Sequence, residues 1–572
     1  MQQDPDRGEG TEEQPGTRGD SPRLSPTPGF LQHLELAFLN VKVLDPLTAW
    51  QATGQPAIRP TAYVADALIV RGDDQTTRDA LGEVAKTAGF ALEWDRQGQL
   101  ELDLLRDAPL DDEVRKELLA IWTRRVRLVP TESPESAVFK PIDIWRLLQA
   151  FRVRMKDTPE RLGDVGLEHP ASASPITQGH PITQGHPITQ GHPITQGHGV
   201  AAYTMPGGGG RQPVNWIGPP PSPSHAPEDG HLRPVVAVLD TGIGEHPWLG
   251  KGFVEREPEV LGVPIGIPES TLRETLKGVS EDMVGELEAD SGHGTFIAGL
   301  IRQACPDALL IDVRLYGNTG VVVESALLRS LQLLALRQVL ARTTAADIRP
   351  LDVVTLSLGY YHEQPADAMF DQLLHGPIGL LGKYGAAVVV SAGNDASARP
   401  IYPAAFAPYP GGAVQDSEDT VPVTAVGALN PDSTVALFSN DGDWVRFLRP
   451  GAALISTMPT TFDASMQPSN EVTNARGETR SALDFDDFSS GFGVWSGTSF
   501  SAPVFAGQLA GEIAEAYEED GVDTGTKASV DRLRKILEAM PGRREPQERA
   551  PQEGGPQEDV PPEPEPQEED RR

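Results

Sequence analysis

Residues Arg233–Asp240, RPVVAVLD, form a short apolar run that ends on an acid. Three later stretches share its texture: Ala308–Tyr316 (ALLIDVRLY), Leu351–Gly359 (LDVVTLSLG) and Ala386–Gly393 (AAVVVSAG). Between them lie helical patterns at Glu324–Arg342 and Ala366–Tyr384. Val- and Leu-rich runs without apolar/polar alternation read as strands buried on both faces, and strands that alternate with helices close into a parallel sheet. The stretch therefore predicts a three-layer α/β domain with a mainly parallel sheet.

Working outward, 572 residues exceed what one core takes, since cores stop growing near about 250–300 residues. A second folded unit is expected at 31–156, where the order TAYVADALIV (strand), TTRDALGEVAKTAG (helix), FALEWD and QLELDLL (strands), DDEVRKELLAIWTRR (helix) and VRLVP (strand) reads βαββαβ. That order fits a small ferredoxin-like α+β domain. Residues 1–30 and 543–572 are rich in Pro, Gly and acid and read as disordered tails. Residues 157–230 read as a flexible linker holding four tandem PITQGH repeats, Pro175 to His198. The α/β domain then spans 231–542. His180, His186, His192 and His198 recur every six residues without zinc-finger or i, i+4 spacing. A metal-responsive scaffold built on them would bind zinc whether or not Ser499 is intact.

The chain carries 48 basic and 82 acidic side chains, a formal charge of −34. This argues against nucleic acid or an anionic membrane as partner, because both require basic patches. The only cysteine, Cys305, forms no intrachain disulfide, so no oxidising compartment is demanded. The first residues lack the apolar core of a secretory signal, and no segment offers 18 uninterrupted apolar residues. A cytoplasmic monomer is the expectation, conditional on Met1 being the true start.

In parallel sheets, ligands bind beyond the carboxyl ends of the strands. Asp240, Asn394 and the segment Ser357 to Gly359 occupy such ends. Asp240 leads into TGIGEHP, but Gly242 and Gly244 are followed by Pro247 and by no helix, so the dinucleotide fingerprint fails. Two histidines compete for a role beside Asp240: His293, at the start of the helical pattern in SGHGTFIAGLI, and His246, followed by Pro247 and Trp248. Ser499, in SGTSFSAP, also stands at a helix start, as an N-cap or as a nucleophile whose own N–H helps hold an oxyanion. The Gly-x-Ser-x-Gly elbow of α/β-hydrolases is excluded, since Ser501 replaces the second glycine and no histidine follows Ser499.

The order Asp240, His293, Ser499 is that of the subtilisin arrangement. VAVLDTGIGEHPWL, GHGTFIAG, VVVSAGND and SGTSFSAPVFAG resemble the aspartate, histidine, oxyanion-asparagine and serine motifs of the subtilisin-like serine proteases, in the same order. The resemblance covers about 231 to 540. It departs at Phe296 and Val504, where histidine is common, and at Phe500 and Ser501, in place of Met-Ala. It implies a serine endopeptidase acting on polypeptides, with Ser499 as nucleophile, His293 as base, Asp240 orienting it and Asn394 as oxyanion donor. His246 is then the histidine of the "HP" that follows the aspartate. The resemblance further implies that substrate pairs with Ser357, Leu358 and Gly359, while Ser391, Ala392 and Gly393 line the pocket for the side chain before the cut. No cofactor is implied for the chemistry, and calcium sites, which lie in variable loops of the family, stay open. The N-terminal domain is comparable to the family's inhibitory prodomains, whose tails occupy the cleft. A catalytically silent peptide-binding or regulatory module on the same fold is the alternative.

Overall fold

The computed structural model describes residues 40–52, 57–131, 142–173, 203, 209–215, 218–225, 230–268, 287, 290–315, 321–363, 372–410, 412–464, 468–519 and 522–544. The PITQGH repeats, residues 1–30 and residues 545–572 lie outside the described residues, while Arg543 and Arg544, expected in the tail, still pair with Phe447 and Arg446. The N-terminal region contains β1 (Val41–Leu44), β2 (Thr61–Val64), β3 (Ala67–Arg71), α1 (Gln75–Ala88), β4 (Phe90–Trp94), α2 (Arg96–Asp107), α3 (Asp112–Ile121), β5 (Thr123–Pro130), α4 (Ile144–Arg154), β6 (Val165–Leu167) and β7 (Pro170–Ala173). A short β8 (Gln212–Pro213) precedes the second region.

The second region opens with β9 (Val235–Asp240), β10 (Val254–Glu255), β11 (Glu259–Val260) and β12 (Val263–Pro264). It continues through α5 (His293–Ala304), β13 (Leu309–Arg314), β14 (Val321–Val323), α6 (Glu324–Thr343), β15 (Val353–Leu356), β16 (Leu358–Gly359), α7 (Gln372–Lys383) and β17 (Ala387–Ser391). β18 (Thr424–Leu429), β19 (Val445–Pro450), β20 (Leu454–Thr457), β21 (Glu471–Thr473), β22 (Thr479–Ser481), β23 (Phe492–Trp495), α8 (Thr498–Tyr517) and α9 (Thr526–Ala539) complete it.

Seven parallel strands form the central sheet in the order β10-β13-β9-β15-β17-β18-β19. Side chains alternate across a strand, and β9 divides them between two cores. Val235, Ala237 and Leu239 join Leu327, Leu331, Leu334, Ile378 and Leu381 of α6 and α7 on one face. Val236 and Val238 join residues of α5, α8 and α9, including Ile297, Leu509 and Leu533, on the other. The three-layer α/β expectation matches this arrangement.

The N-terminal sheet is antiparallel, in the order β4-β5-β3-β6. Three expectations need correction. Gln99–Leu105 is not a strand but part of α2. Its Leu100, Leu102 and Leu104 alternate as in a strand, yet Gly98, Glu101, Leu102 and Leu105 are the residues buried, at helical spacing, and Asp95 caps the helix by accepting from Gln97 N–H and Gly98 N–H at 3.1 and 3.0 Å. TAYVADALIV is two strands: β2 pairs with β1, β3 with β5 and β6. Order also extends past residue 156, because β6 closes the edge of the N-terminal sheet and β7 pairs with the second region. The long stretches Arg256–Asp290, between Asp240 and His293, and Phe462–Ser490, before Ser499, carry the β11–β12 hairpin at the start of the first and the exposed β21–β22 hairpin in the second.

The two regions share one core. Leu102, Leu105, Leu118 and Trp122 pack in the same cluster as α6, and Gln332 of α6 donates to Ile121 O and Thr123 Oγ1 at 3.1 and 2.7 Å. Buried between the sheet and the N-terminal region, α6 carries leucine on nearly every side, which no surface helix needs. Leu334→Ala, at a fully buried position, is expected to cost about 2–5 kcal/mol in chemical denaturation of the full chain. Leu437→Ala, 57% exposed, should stay within about 0.5 kcal/mol.

Candidate active site

Asp240 is the last residue of β9 and His293 the first of α5. Two glycines let these elements meet. Gly292 caps α5 with φ of 84°, in the left-handed region that favours glycine. At Gly294 a Cβ would lie 2.5 Å from the Gly242 carbonyl oxygen, so only glycine permits this backbone approach. Cross-bonds stitch the junction: Gly294 N–H to Thr241 Oγ1 at 3.0 Å and Gly244 N–H to Thr295 Oγ1 at 2.8 Å. His293 Nδ1 consequently lies 2.8 and 2.9 Å from the two Asp240 carboxylate oxygens, with both side chains buried. His293 Nε2 has no hydrogen-bond partner among the described residues.

Ser499 occupies the first turn of α8, fully buried. Its Oγ donates to Ser357 O at 3.5 Å, no hydrogen bond joins it to His293 Nε2, and its own carbonyl accepts from Ser357 Oγ at 3.0 Å. Asn394 follows β17, and its Oδ1 accepts from Thr498 N–H at 2.9 Å. Gly393 N–H donates to Thr498 Oγ1 at 3.1 Å. Ser391 and Ala392 are buried at the end of β17, where Ala392 N–H donates to Val426 O at 3.0 Å. Asp240, His293, Ser499 and Asn394 thus stand at the carboxyl ends of β9 and β17 and the starts of α5 and α8.

His246 is placed otherwise. Its Nδ1 accepts from Trp248 N–H at 3.1 Å, capping a short turn, and burial pushes its pKa down to about 4, so the ring is a neutral structural cap. Sequence reasoning passed over Trp495 as part of the site. Its ring and that of Phe500 lie 5.7 and 5.2 Å from the His293 ring, and Phe296 packs on Phe500 at 4.5 Å. The signal was present in the departures Phe296 and Phe500, which build one aromatic wall with Trp495. Thr498 and Asn440 were also missed: Asn440 N–H donates to Gly393 O at 2.9 Å.

Beside these residues, β7 lies between β14 and β16, antiparallel to both. Pro170, Ala171 and Ser172 face Val323, Val322 and Val321, while Ser172 and Ala173 face Gly359 and Leu358. Among the described residues the chain next meets the second region at Tyr203, whose O–H donates to Asn430 Oδ1 at 2.7 Å, and then at β8, which pairs with β23 just before Ser499. There Ser496 Oγ donates to Gly209 O at 2.7 Å, and the Arg211 guanidinium lies over Trp495, 5.1 Å from the ring centroid.

At the start of β7, His169 enters a buried cluster. Its Nδ1 lies 2.8 Å from Glu324 Oε2 and its Nε2 3.2 Å from Glu363 Oε2. Arg152 of α4 donates to Glu363 Oε1 at 3.1 Å. Burial opposes a charge on His169, but the bonds to Glu324 and Glu363 outweigh it and raise its pKa to about 10. Burial likewise opposes the Glu363 carboxylate, yet His362, His169 and Arg152 hold its pKa well below the ordinary value. His169, His362 and Glu363 come within ligand reach of one another, as do His225, His231 and Glu518 nearer the surface. Among the described residues no helix is long and apolar enough to cross a membrane.

The model of the subtilase family matches residues 233–538. The chain is 25% identical over 248 residues to the minor extracellular protease Epr of Bacillus subtilis (strain 168), covering 42% of this chain and 30% of that one. It is 26% identical over 251 residues to subtilisin Savinase of Lederbergia lenta, covering 42% and 71%. Among solved structures, a lanthipeptide protease aligns with 21% identity and a TM-score of 0.35, over 53% of this chain and 79% of its own. With more than half its length matched by the family model, in the region that builds the Asp240–His293–Ser499 site, the chain belongs to the subtilase family.

Proposed function

We propose that this chain is a serine endopeptidase, made as a self-inhibited precursor, that cuts extended polypeptides. The observation that carries the reading is the His293 imidazole, held by Asp240 through Nδ1 and left with Nε2 unpartnered beside a helix-start serine. In that reading Ser499 Oγ bonds to the substrate carbonyl carbon as its proton passes to His293 Nε2 and the carbonyl electron pair moves onto oxygen. Collapse breaks the C–N bond, and His293 returns the proton to the departing amine. Water then repeats the sequence on the acyl ester and frees Ser499. Asp240 orients the ring and stabilises its cation.

Ser499 N–H and the Asn394 amide would hold the oxyanion. Thr498 N–H engages the carbonyl end of that amide, which fixes its NH2 end as the donor to the developing charge. Ser499 Oγ must swing from Ser357 O toward His293 for attack, a small change, since such bonds tighten when substrate binds. Ser391, Ala392 and Gly393 would line the pocket for the side chain before the cut.

The pairing of β7 supports the precursor reading. An extended chain already fills the slot between β14 and β16, the place expected for substrate by strand addition. The N-terminal unit, up to about residue 173, would then be the inhibitor and 231–542 the peptidase. The sheet order β4-β5-β3-β6, with α1 and α4 as crossovers, supports a ferredoxin-like unit in which α2 and α3 are inserted. A silent module is the second reading, favoured by the Ser499 Oγ contact with Ser357.

A fluorophosphonate probe, mapped by peptide mass spectrometry, should label Ser499. Labelling should vanish in Ser499→Ala and His293→Ala and persist in His246→Ala. No labelling of any correctly folded form would favour the silent module. Asn394→Ala should lower turnover about 10² to 10³-fold, the loss known for an oxyanion donor in subtilisin itself. The pH dependence of docking follows from the cluster in which Glu324, Glu363, His362, Arg152 and Tyr360 surround His169. Docking raises the His169 pKa from 6.5 to about 10, so its contribution is full below pH 6.5 and is lost as the pH climbs toward 10. Glu363, held below its ordinary 4.5, contributes above that pH and loses its share as the pH falls. Burial lowers the His362 pKa, so its share is already lost as the pH falls below 6.5. Hydrogen exchange of β7 in Ser499→Ala, after correction for the intrinsic rate, should therefore speed up as the pH climbs from 6.5 toward 10 and again as it falls below 4.5.

A further inference from the structure

Glu324 is the first residue of α6, directly after β14, and Glu363 stands four residues beyond β16. The two carboxylates therefore flank one end of the slot that holds β7. Tyr360, next to β16, completes a box. Its ring stacks on His169, with centroids 4.7 Å apart and planes at 8°, and its O–H donates to Glu324 Oε1 at 2.8 Å. The main chain at the same point is fixed as well. His169 N–H donates to Glu324 Oε2 at 3.1 Å, and Glu324 N–H to His169 O at 2.9 Å. Any extended chain that pairs with β14 and β16 in this register sends one side chain between the two carboxylates.

Both cations in the box, Arg152 and His169, come from the N-terminal region, while Glu324, Glu363 and Tyr360 come from the region matched by the subtilase model. All of these side chains are buried. Two carboxylates so close, and so far from water, require a positive partner, and removing that partner leaves a strongly unfavourable buried charge. Tyr360 adds an aromatic face, which favours a planar or compact cation. Departure of the N-terminal unit would open the box and take away both Arg152 and His169, leaving His362, 3.4 Å from Glu363, as the basic group of the matched region beside the two acids among the described residues.

We propose that Glu324, Glu363 and the face of Tyr360 form a cation-accepting subsite at the far end of the substrate cleft. It selects polypeptides that carry a basic side chain four residues upstream of the residue paired with Leu358. In the chain's own tail that residue is Ala173 and the basic side chain is His169. The inference rests on reading the slot as the substrate cleft of a serine endopeptidase, and its test has one arm that needs no catalysis. A basic side chain is favoured over a bound metal because the Arg152 guanidinium already sits 3.1 Å from Glu363, where it would repel a metal cation.

The first arm uses the full chain with Ser499→Ala and reads hydrogen exchange of β7, with the sheet β4-β5-β3-β6 as a folding control. His169→Arg and His169→Lys should keep β7 protected, whereas His169→Gln and His169→Glu should speed its exchange at least tenfold. Equal exchange in all five chains, parent included, would overturn the subsite. So would protection that rises with added zinc and falls with a chelator, which would make the cluster a metal site. The second arm uses the Ser499-containing chain, its active sites counted by fluorophosphonate, and quenched peptides that differ only at the selected position. Arg, Lys or His there should exceed Gln or Glu at least tenfold in kcat/KM, and equal values would overturn the proposal. An unlabelled Ser499 would count against the protease reading and leave the exchange arm to judge the subsite.

Discussion

The backbone contact between Gly294 and the Gly242 carbonyl sets the geometry on which the site depends. The parallel sheet brings β9 to an end at Asp240, but a strand end alone orients nothing. Only because α5 starts against the loop leaving β9, closer than any Cβ allows, does the His293 ring meet both Asp240 oxygens. The same economy recurs at α8, where Thr498 ties the helix start to Gly393 and Asn394. Main-chain pairing thus fixes the site, and side-chain packing by Trp495, Phe500 and Phe296 encloses it.

Much of this was legible in the sequence because strands buried on both faces leave unbroken Val and Leu runs, and polar residues that end such runs stand out. Asp240 and Asn394 were found that way, His293 and Ser499 by their place at the start of helical patterns, and the family motifs then ordered all four. The choice between His293 and His246 was not legible from spacing; the family motif made it, and the structure supplies the physical reason in the Trp248 N–H that occupies His246 Nδ1. The N-terminal region was harder to read. In Gln99–Leu105 every second residue is leucine or acid, a strand pattern, while the burial that makes it a helix comes from α6 and β5, elements distant in sequence. β6 and β7 are too short and too plain to be seen next to a linker composition.

The His169 cluster was invisible for a different reason. Its members come from residues 152, 169, 324, 360 and 363, and no local motif links them. What brings them together is the insertion of β7 between two strands of another region, an event that sequence periodicity does not encode. The composition was informative only in its sum: an acidic chain holds carboxylates to spare, and here two of them face inward, where each basic side chain supplied by the N-terminal region counts.

If the N-terminal unit is the inhibitor proposed above, the positions of β7 and β8 bear on how it is released. The chain pairs with β14 and β16 through β7 and with β23 through β8, with Tyr203 bonded to Asn430 in between. While the connection from β7 to β8 is whole, such a unit would compete for the slot as a tethered ligand, at an effective concentration that reaches the millimolar range for short flexible links and falls as links lengthen. A single cut between β7 and β8 leaves the pairing of both strands in place. It changes only the statistics of return, converting a concentration-independent occupancy into one that dilution can empty.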